Sequence, residues 1–142
     1  MQKTWSILIF IPVLLIFTSV QAEEFPKRKY CSEGNQLEMN NCDAERFKHA
    51  DEEMNRIYRD QLSSMQDPQV KDPKSIERFR DAQRAWIAYR DKVCPYEVGP
   101  KEESGSAWIS SQYACMTYRT ELRIKDLKEY LACDHGNCPN RY

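Results

Sequence analysis

The sequence predicts an all-α fold: a three-helix antiparallel bundle tied by disulfides, with a short C-terminal disulfide knot. Three observations carry that expectation. Apolar residues recur at spacings of three and four in three long segments, the interval that lines one face of an α-helix. No segment shows the alternation of a half-buried strand. Six cysteines, the first of them Cys31, suit a chain cross-linked in an oxidising compartment.

The N-terminal segment explains that compartment. Lys3 precedes an apolar run from Trp5 to Phe17, and Val20 and Ala22 fit the −3 and −1 positions of a signal-peptidase site. The run is too short for a membrane span, so residues 1–22 read as a signal peptide and residues 23–142 as a single exported domain. No cysteine stands at the cleavage point to take a lipid, so no membrane anchor is expected in the mature chain, which is placed in the periplasm or outside the cell. Loss of Lys3 moves the formal net charge from −1 to −2. Charges of both signs are interspersed, which leaves no basic footprint for nucleic acid.

The first predicted helix runs from about Leu37 to Met65, with Phe47, Ala50, Met54, Ile57, Tyr58, Leu62 and Met65 on its apolar stripe. Asp72 suits an N-cap and Pro73 the first position of the second helix, whose stripe is Ile76, Phe79, Ala82/Gln83, Trp86, Tyr89 and Val93. Cys94-Pro95 should end it, because a residue before proline is pushed out of the α region. A polar loop over residues 96–106 follows, and Ser106 should cap a third helix carrying Ile109, Tyr113, Met116, Leu127 and Leu131, interrupted by Thr120 and Arg123. The end, ACDHGNCPNRY, reads as a small knot. There is no internal repeat and no second domain.

Short connections make consecutive helices antiparallel neighbours, which supplies a register. Folding at residue 70 sets Asp51 opposite Tyr89/Arg90, and Asn55 and Met54 opposite Ala85/Trp86. Folding so that Cys94 meets Cys115 sets Asp91 near Tyr118/Arg119, and Trp86 near Arg123. Asp51–Arg90 and Asp91–Arg119 are the expected ion pairs within a structural polar network of Asp51, Asn55, Gln83, Arg90, Asp91, Arg119 and Arg123. The register puts Cys42, Cys94 and Cys115 at one end, with Cys31 tethered nearby, and Cys133 and Cys138 at the other. Cys133–Cys138 then closes locally, and three pairings of the other four cysteines remain. Cys31–Cys42 with Cys94–Cys115 is the preferred one.

The order Cys31, Glu38-Met39-Asn40-x-Cys42, Ala50-Asp51-x2-Met54-Asn55-x2-Tyr58, AQRAWIAYRDKVC (residues 82–94) and Cys115-x4-Thr120-x2-Arg123-x3-Leu127 resembles the lysozyme inhibitor LprI-like N-terminal family of small exported bacterial proteins. The resemblance covers about residues 31–127. It implies an all-helical disulfide-bonded domain and, for the family's namesake, the ability to inhibit lysozyme; it supplies no catalytic residues. The chain departs from the family in having no lipid-attachment cysteine and in adding the Cys133/Cys138 tail.

Chemistry is otherwise sparse. The two histidines adjoin no nucleophile motif, and glycine is too scarce for phosphate-cradling loops, so no enzyme and no cofactor are expected. Cys133-x-His135-x2-Cys138 offers three zinc ligands, but an oxidising compartment favours the disulfide over metal. His49 falls on the charged side of its helix. Trp86 and Tyr89 are expected to fill the core. A binding role leaves the loop YEVGPKEESGSAW (residues 96–108), fixed at both ends by Cys94–Cys115, with Glu97, Glu102, Glu103, Ser104 and Trp108 as partner-binding candidates. Its acidity suits a cationic protein such as lysozyme. The expected function is reversible inhibition of a lysozyme or another cell-wall hydrolase; the alternative is an envelope interaction or immunity module that recognises an exported toxin. Neither oligomeric state nor lysozyme type is legible.

Overall fold

The computed structural model describes residues 28–66 and 74–132. The signal-peptide reading, the Asp72-Pro73 helix start and the Cys133–Cys138 knot, with its His135, lie outside these residues. The described part is all-helical: α1 (Gln36–Ser64), α2 (Ser75–Val98), the single turn α3 (Lys101–Ser104) and α4 (Ala107–Leu131).

A local device that the apolar pattern does not show starts α1. Asn35 Oδ1 accepts from the Leu37 and Glu38 amides at 3.0 and 3.1 Å, and Glu38 Oε2 accepts from the Asn35 amide at 2.7 Å. This capping box satisfies donors that the helix cannot pair internally. Gly34 before it has φ of 88°, which favours glycine, and a Cβ there would lie 2.3 Å from Glu38 Oε2 and displace the capping carboxylate.

The pairs that cross between helices give their directions. Asn40 Nδ2 donates to Ser106 O at 3.2 Å, Phe47 meets Tyr113 at 5.9 Å, and Lys128 meets Glu53 at 2.8 Å, so α1 and α4 run parallel. Cys94 bonds Cys115, and Tyr58 stacks on Phe79 at 5.2 Å, so α2 runs antiparallel to both. Adjacency in sequence does not decide packing here. The main partner of α1 is α4 rather than the consecutive α2, which touches α1 through a few long side chains.

The core divides along the helix axis. Toward the C-terminal ends of α1 and α4, Met54, Ile57, Ile124 and Leu127 are buried, with Tyr58, Phe79 and Trp86 packed against them. Each of the four buried aliphatic side chains stabilises the fold by roughly 1.5–3 kcal/mol. Toward the other end the interior holds Asp43, Arg90, Ser110, Thr117 and Thr120 together with the Cys94–Cys115 disulfide, both of whose residues are 0 % exposed. The second disulfide joins Cys31 to Cys42, so both expected pairings among the described cysteines are present.

Four local expectations are corrected. The second helix does not stop at Cys94-Pro95 but continues to Val98, closing with Gly99 N on Pro95 O at 3.1 Å. Proline in the last turn forfeits only one hydrogen bond, to the Asp91 carbonyl, while the buried Cys94 stays in the helix. The polar loop is accordingly reduced to Gly99-Pro100 and Gly105-Ser106 around α3, with both glycines at positive φ (82° and 57°). Ser106 precedes α4 as expected, but its side chain makes no capping bond. Tyr89 is not a core residue: it is 50 % exposed, and Arg90 takes the inward position beside it.

The buried crosslink has a measurable consequence. Replacing Cys94 and Cys115 by Ala together should lower stability by about 3 kcal/mol, from the loop-closure entropy of a 21-residue separation. Urea unfolding of oxidised wild type against the double variant measures it, and coincident curves would show that the crosslink contributes nothing.

Candidate functional site

The region built from the end of α2, α3 and the start of α4 holds the partner-binding candidates, and its framework is rigid. Cys94–Cys115 crosses beneath it. Above the disulfide, Trp108 Nε1 donates to Gly99 O at 2.8 Å, which ties the first turn of α4 to the end of α2. The indole is half-buried, so Trp108 faces the protein as a latch. Glu97 is likewise engaged: Arg119 donates to its Oε1 and Arg28 to its Oε2. Its Oε2 also lies 3.6 Å from the Cys115 sulfur. Glu102, Glu103 and Ser104 are all exposed on α3. Of the five candidates, three therefore share an outer surface, whereas Glu97 and Trp108 hold that surface in place.

The polar network forms around Arg90, which is 6 % exposed. Its NH1 donates to Asp51 Oδ1 at 2.7 Å and to Thr120 Oγ1 at 3.3 Å, and its Nε donates to Asp91 Oδ1 at 3.0 Å. Asn55 supports Asp51 through a 2.9 Å bond to Oδ2. The guanidinium also lies over the Phe47 ring at 5.0 Å and the Trp86 ring at 5.4 Å. A charge taken this far from water must find such partners, or its desolvation would unfold the site.

Three members of the expected network, Gln83, Arg123 and Arg119, stand apart. Arg123 Nε donates to Gln83 Oε1 at 3.0 Å, Gln83 Nε2 meets Met54 Sδ at 3.5 Å, and Arg123 lies 5.9 Å from the Trp86 ring. The expected Asp91–Arg119 pair is not formed. Asp91 turns to its neighbour Arg90, and Arg119 reaches Glu97, which the continuation of α2 past Pro95 brings alongside α4.

A further buried group escaped the sequence reading. Asp43 is 0 % exposed and accepts from Ser110 Oγ, from the Cys31 amide at 3.2 Å and from Arg46 NH1 at 3.2 Å. It thus binds the N-terminal segment to α1 and α4. The signal was available: position 43 falls on the stripe of residues 40, 43, 47, 50 and 54, where a carboxylate must be compensated. His49 is exposed, 3.8 Å from Glu52.

Asp43→Ala should lower stability by about 3 kcal/mol, because it strands the buried Ser110 hydroxyl and the Cys31 amide. Urea unfolding at neutral pH measures the loss. A change below about 1 kcal/mol would mean that water replaces the carboxylate without penalty.

Comparison with known proteins adds the family. The model of the family described as Lysozyme inhibitor LprI matches residues 28–127. An uncharacterized protein of Rhizobium meliloti (strain 1021) is 29 % identical over 128 residues, which cover 85 % of this chain and 91 % of that protein. No solved structure matches. With the family model spanning all three long helices up to Leu127, including both described disulfides, the chain belongs to the LprI lysozyme-inhibitor family.

Proposed function

We propose that the protein is an exported inhibitor of a lysozyme, acting by reversible protein–protein binding in the periplasm or outside the cell. The observation that carries this reading is the family match over residues 28–127, which includes both described disulfides and the Arg90 network. In this reading residues 1–22 are removed on export and residues 23–142 form one domain, a three-helix bundle whose tail is closed by Cys133–Cys138.

The contact surface proposed is α3 with its flanks. Glu102 and Glu103 present two exposed carboxylates, with Ser104 beside them, suited to the basic rim of a cationic lysozyme. Cys94–Cys115 and the Trp108–Gly99 bond hold the surface from below, so binding orders little that is not already ordered. Glu97 contributes indirectly, by fixing the end of α2 against Arg119.

A peptidoglycan suspension cleared by lysozyme supplies the test. Oxidised protein in molar excess should slow the clearing by at least one of several lysozyme types, and unchanged clearing with all of them refutes the reading. Given inhibition, Glu102→Lys with Glu103→Lys should raise the half-inhibitory concentration about tenfold. An unchanged value would move the contact off α3.

A further inference from the structure

The geometry points to a second contact surface, a cationic aromatic face on α2 and α4, which receives the carboxylate-bearing cleft of the same enzyme. This inference rests on the lysozyme reading above. Its elements are Tyr89, Lys92 and Tyr96 on α2, Tyr118 and Arg119 on α4, and Arg28 from the N-terminal segment.

Spacing places the first three together. Residues 89, 92 and 96 stand at i, i+3 and i+7, so they share one face of α2, with the two tyrosines roughly 10 Å apart along the axis. That face is open: Tyr89 is 50 % exposed, Tyr96 is 85 % exposed and Lys92 is exposed between them. The two arginines complete it from the side. Arg119 lies 5.9 Å from the Tyr89 ring and 5.8 Å from the Tyr118 ring, and Arg28 also lies 5.8 Å from the Tyr118 ring.

Charge decides what such a face can meet. Glu97 is shared by Arg28 and Arg119, so one carboxylate answers two guanidinium groups and, with Lys92, the face keeps a positive excess. Tyrosine and arginine are among the residue types that dominate interface energetics, tyrosine because it covers a large area with few freely rotating bonds and arginine through its planar fork of donors. Here the arginines are already stacked and ion-paired, so their ordering cost is largely met before a partner arrives. A glycosidase cleft presents the complementary chemistry: paired carboxylates flanking a groove shaped for sugar rings. A tyrosine ring can lie flat where a sugar ring would, and a guanidinium can approach the acids.

The face and the acidic α3 turn also lie next to each other, since only Val98, Gly99 and Pro100 separate Glu97 from α3. A partner with acids in its cleft and bases on its rim would meet opposite signs in the matching order. That arrangement fixes one orientation and penalises the reverse.

The test uses the full oxidised chain carrying Lys92→Glu and Tyr96→Ala, with Glu102→Lys/Glu103→Lys as a parallel variant. Both substituted side chains of the first variant are exposed, so circular dichroism and the melting temperature should match wild type. The half-inhibitory concentration against a lysozyme that wild type inhibits should rise about tenfold or more. Equal inhibition by the first variant and wild type overturns the second surface while leaving the lysozyme reading intact; a wild type that inhibits no lysozyme overturns both. Co-sedimentation of wild type with purified peptidoglycan in the absence of lysozyme, lost in the first variant, would make the face a glycan-binding surface and also overturn the proposal.

Discussion

The guanidinium of Arg90 is the group on which this interior depends. It is almost sealed from water, yet it carries a full charge between three helices. Asp51 meets it from α1, Thr120 from α4 and Asp91 from its own helix, while Phe47 and Trp86 cover its faces. A planar fork of donors accepts few arrangements of partners, so it sets how far α1, α2 and α4 stand from one another and at what rotation. An apolar side chain at position 90 could slide; this group cannot. Where α2 makes limited contact with α1, a directional network supplies the specificity that a broad apolar seam would otherwise give.

Arg90 also marks the boundary between two kinds of interior. On one side Met54, Ile57, Ile124 and Leu127 form an apolar cluster, edged by the Gln83–Arg123 pair. On the other, a buried disulfide and a buried aspartate do the corresponding work. The binding region proposed at α3 sits on the second side. It is therefore held by covalent and hydrogen-bonded constraints, which keep a solvent-facing turn fixed with little apolar area beneath it. The same constraints explain why acidic residues in one short stretch have different fates: Glu97 is neutralised by two arginines, whereas Glu102 and Glu103 remain open to a partner.

Much of this was legible in the sequence. Helical periodicity located Ala50, Met54 and Ile57, and the antiparallel register at residue 70 brought Asp51 to Arg90. The cysteine pairings were narrowed rather than fixed: three remained for the first four cysteines, and the preferred one is present. What was missed arises at the scale of one residue or one side chain. Rotation by a single position carries a helical residue through about 100°, enough to exchange Tyr89 for Arg90 at the interior. Arg119 and Asp91 each have several partners within reach, and sequence spacing does not rank them. Stopping α2 at Pro95 removed Glu97 from consideration as Arg119's partner. Of the five partner-binding candidates, Glu102, Glu103 and Ser104 are outward, but the roles of Glu97 and Trp108 depend on contacts with Arg28, Arg119 and Gly99, which lie up to 69 residues away in the chain.

The sealed position of the Cys94–Cys115 sulfurs has a chronological consequence. Thiol–disulfide exchange needs an attacking sulfur to reach its target in line, and neither sulfur has any surface to offer once α4 is docked. The bond must form while α2 and α4 are still apart, so an oxidant acts on an open chain and the finished domain is closed to reductants. A molecule emerging into an oxidising space is committed to its cross-linked form as it folds. In the reducing interior of the cell, the platform beneath α3 would lack its crosslink.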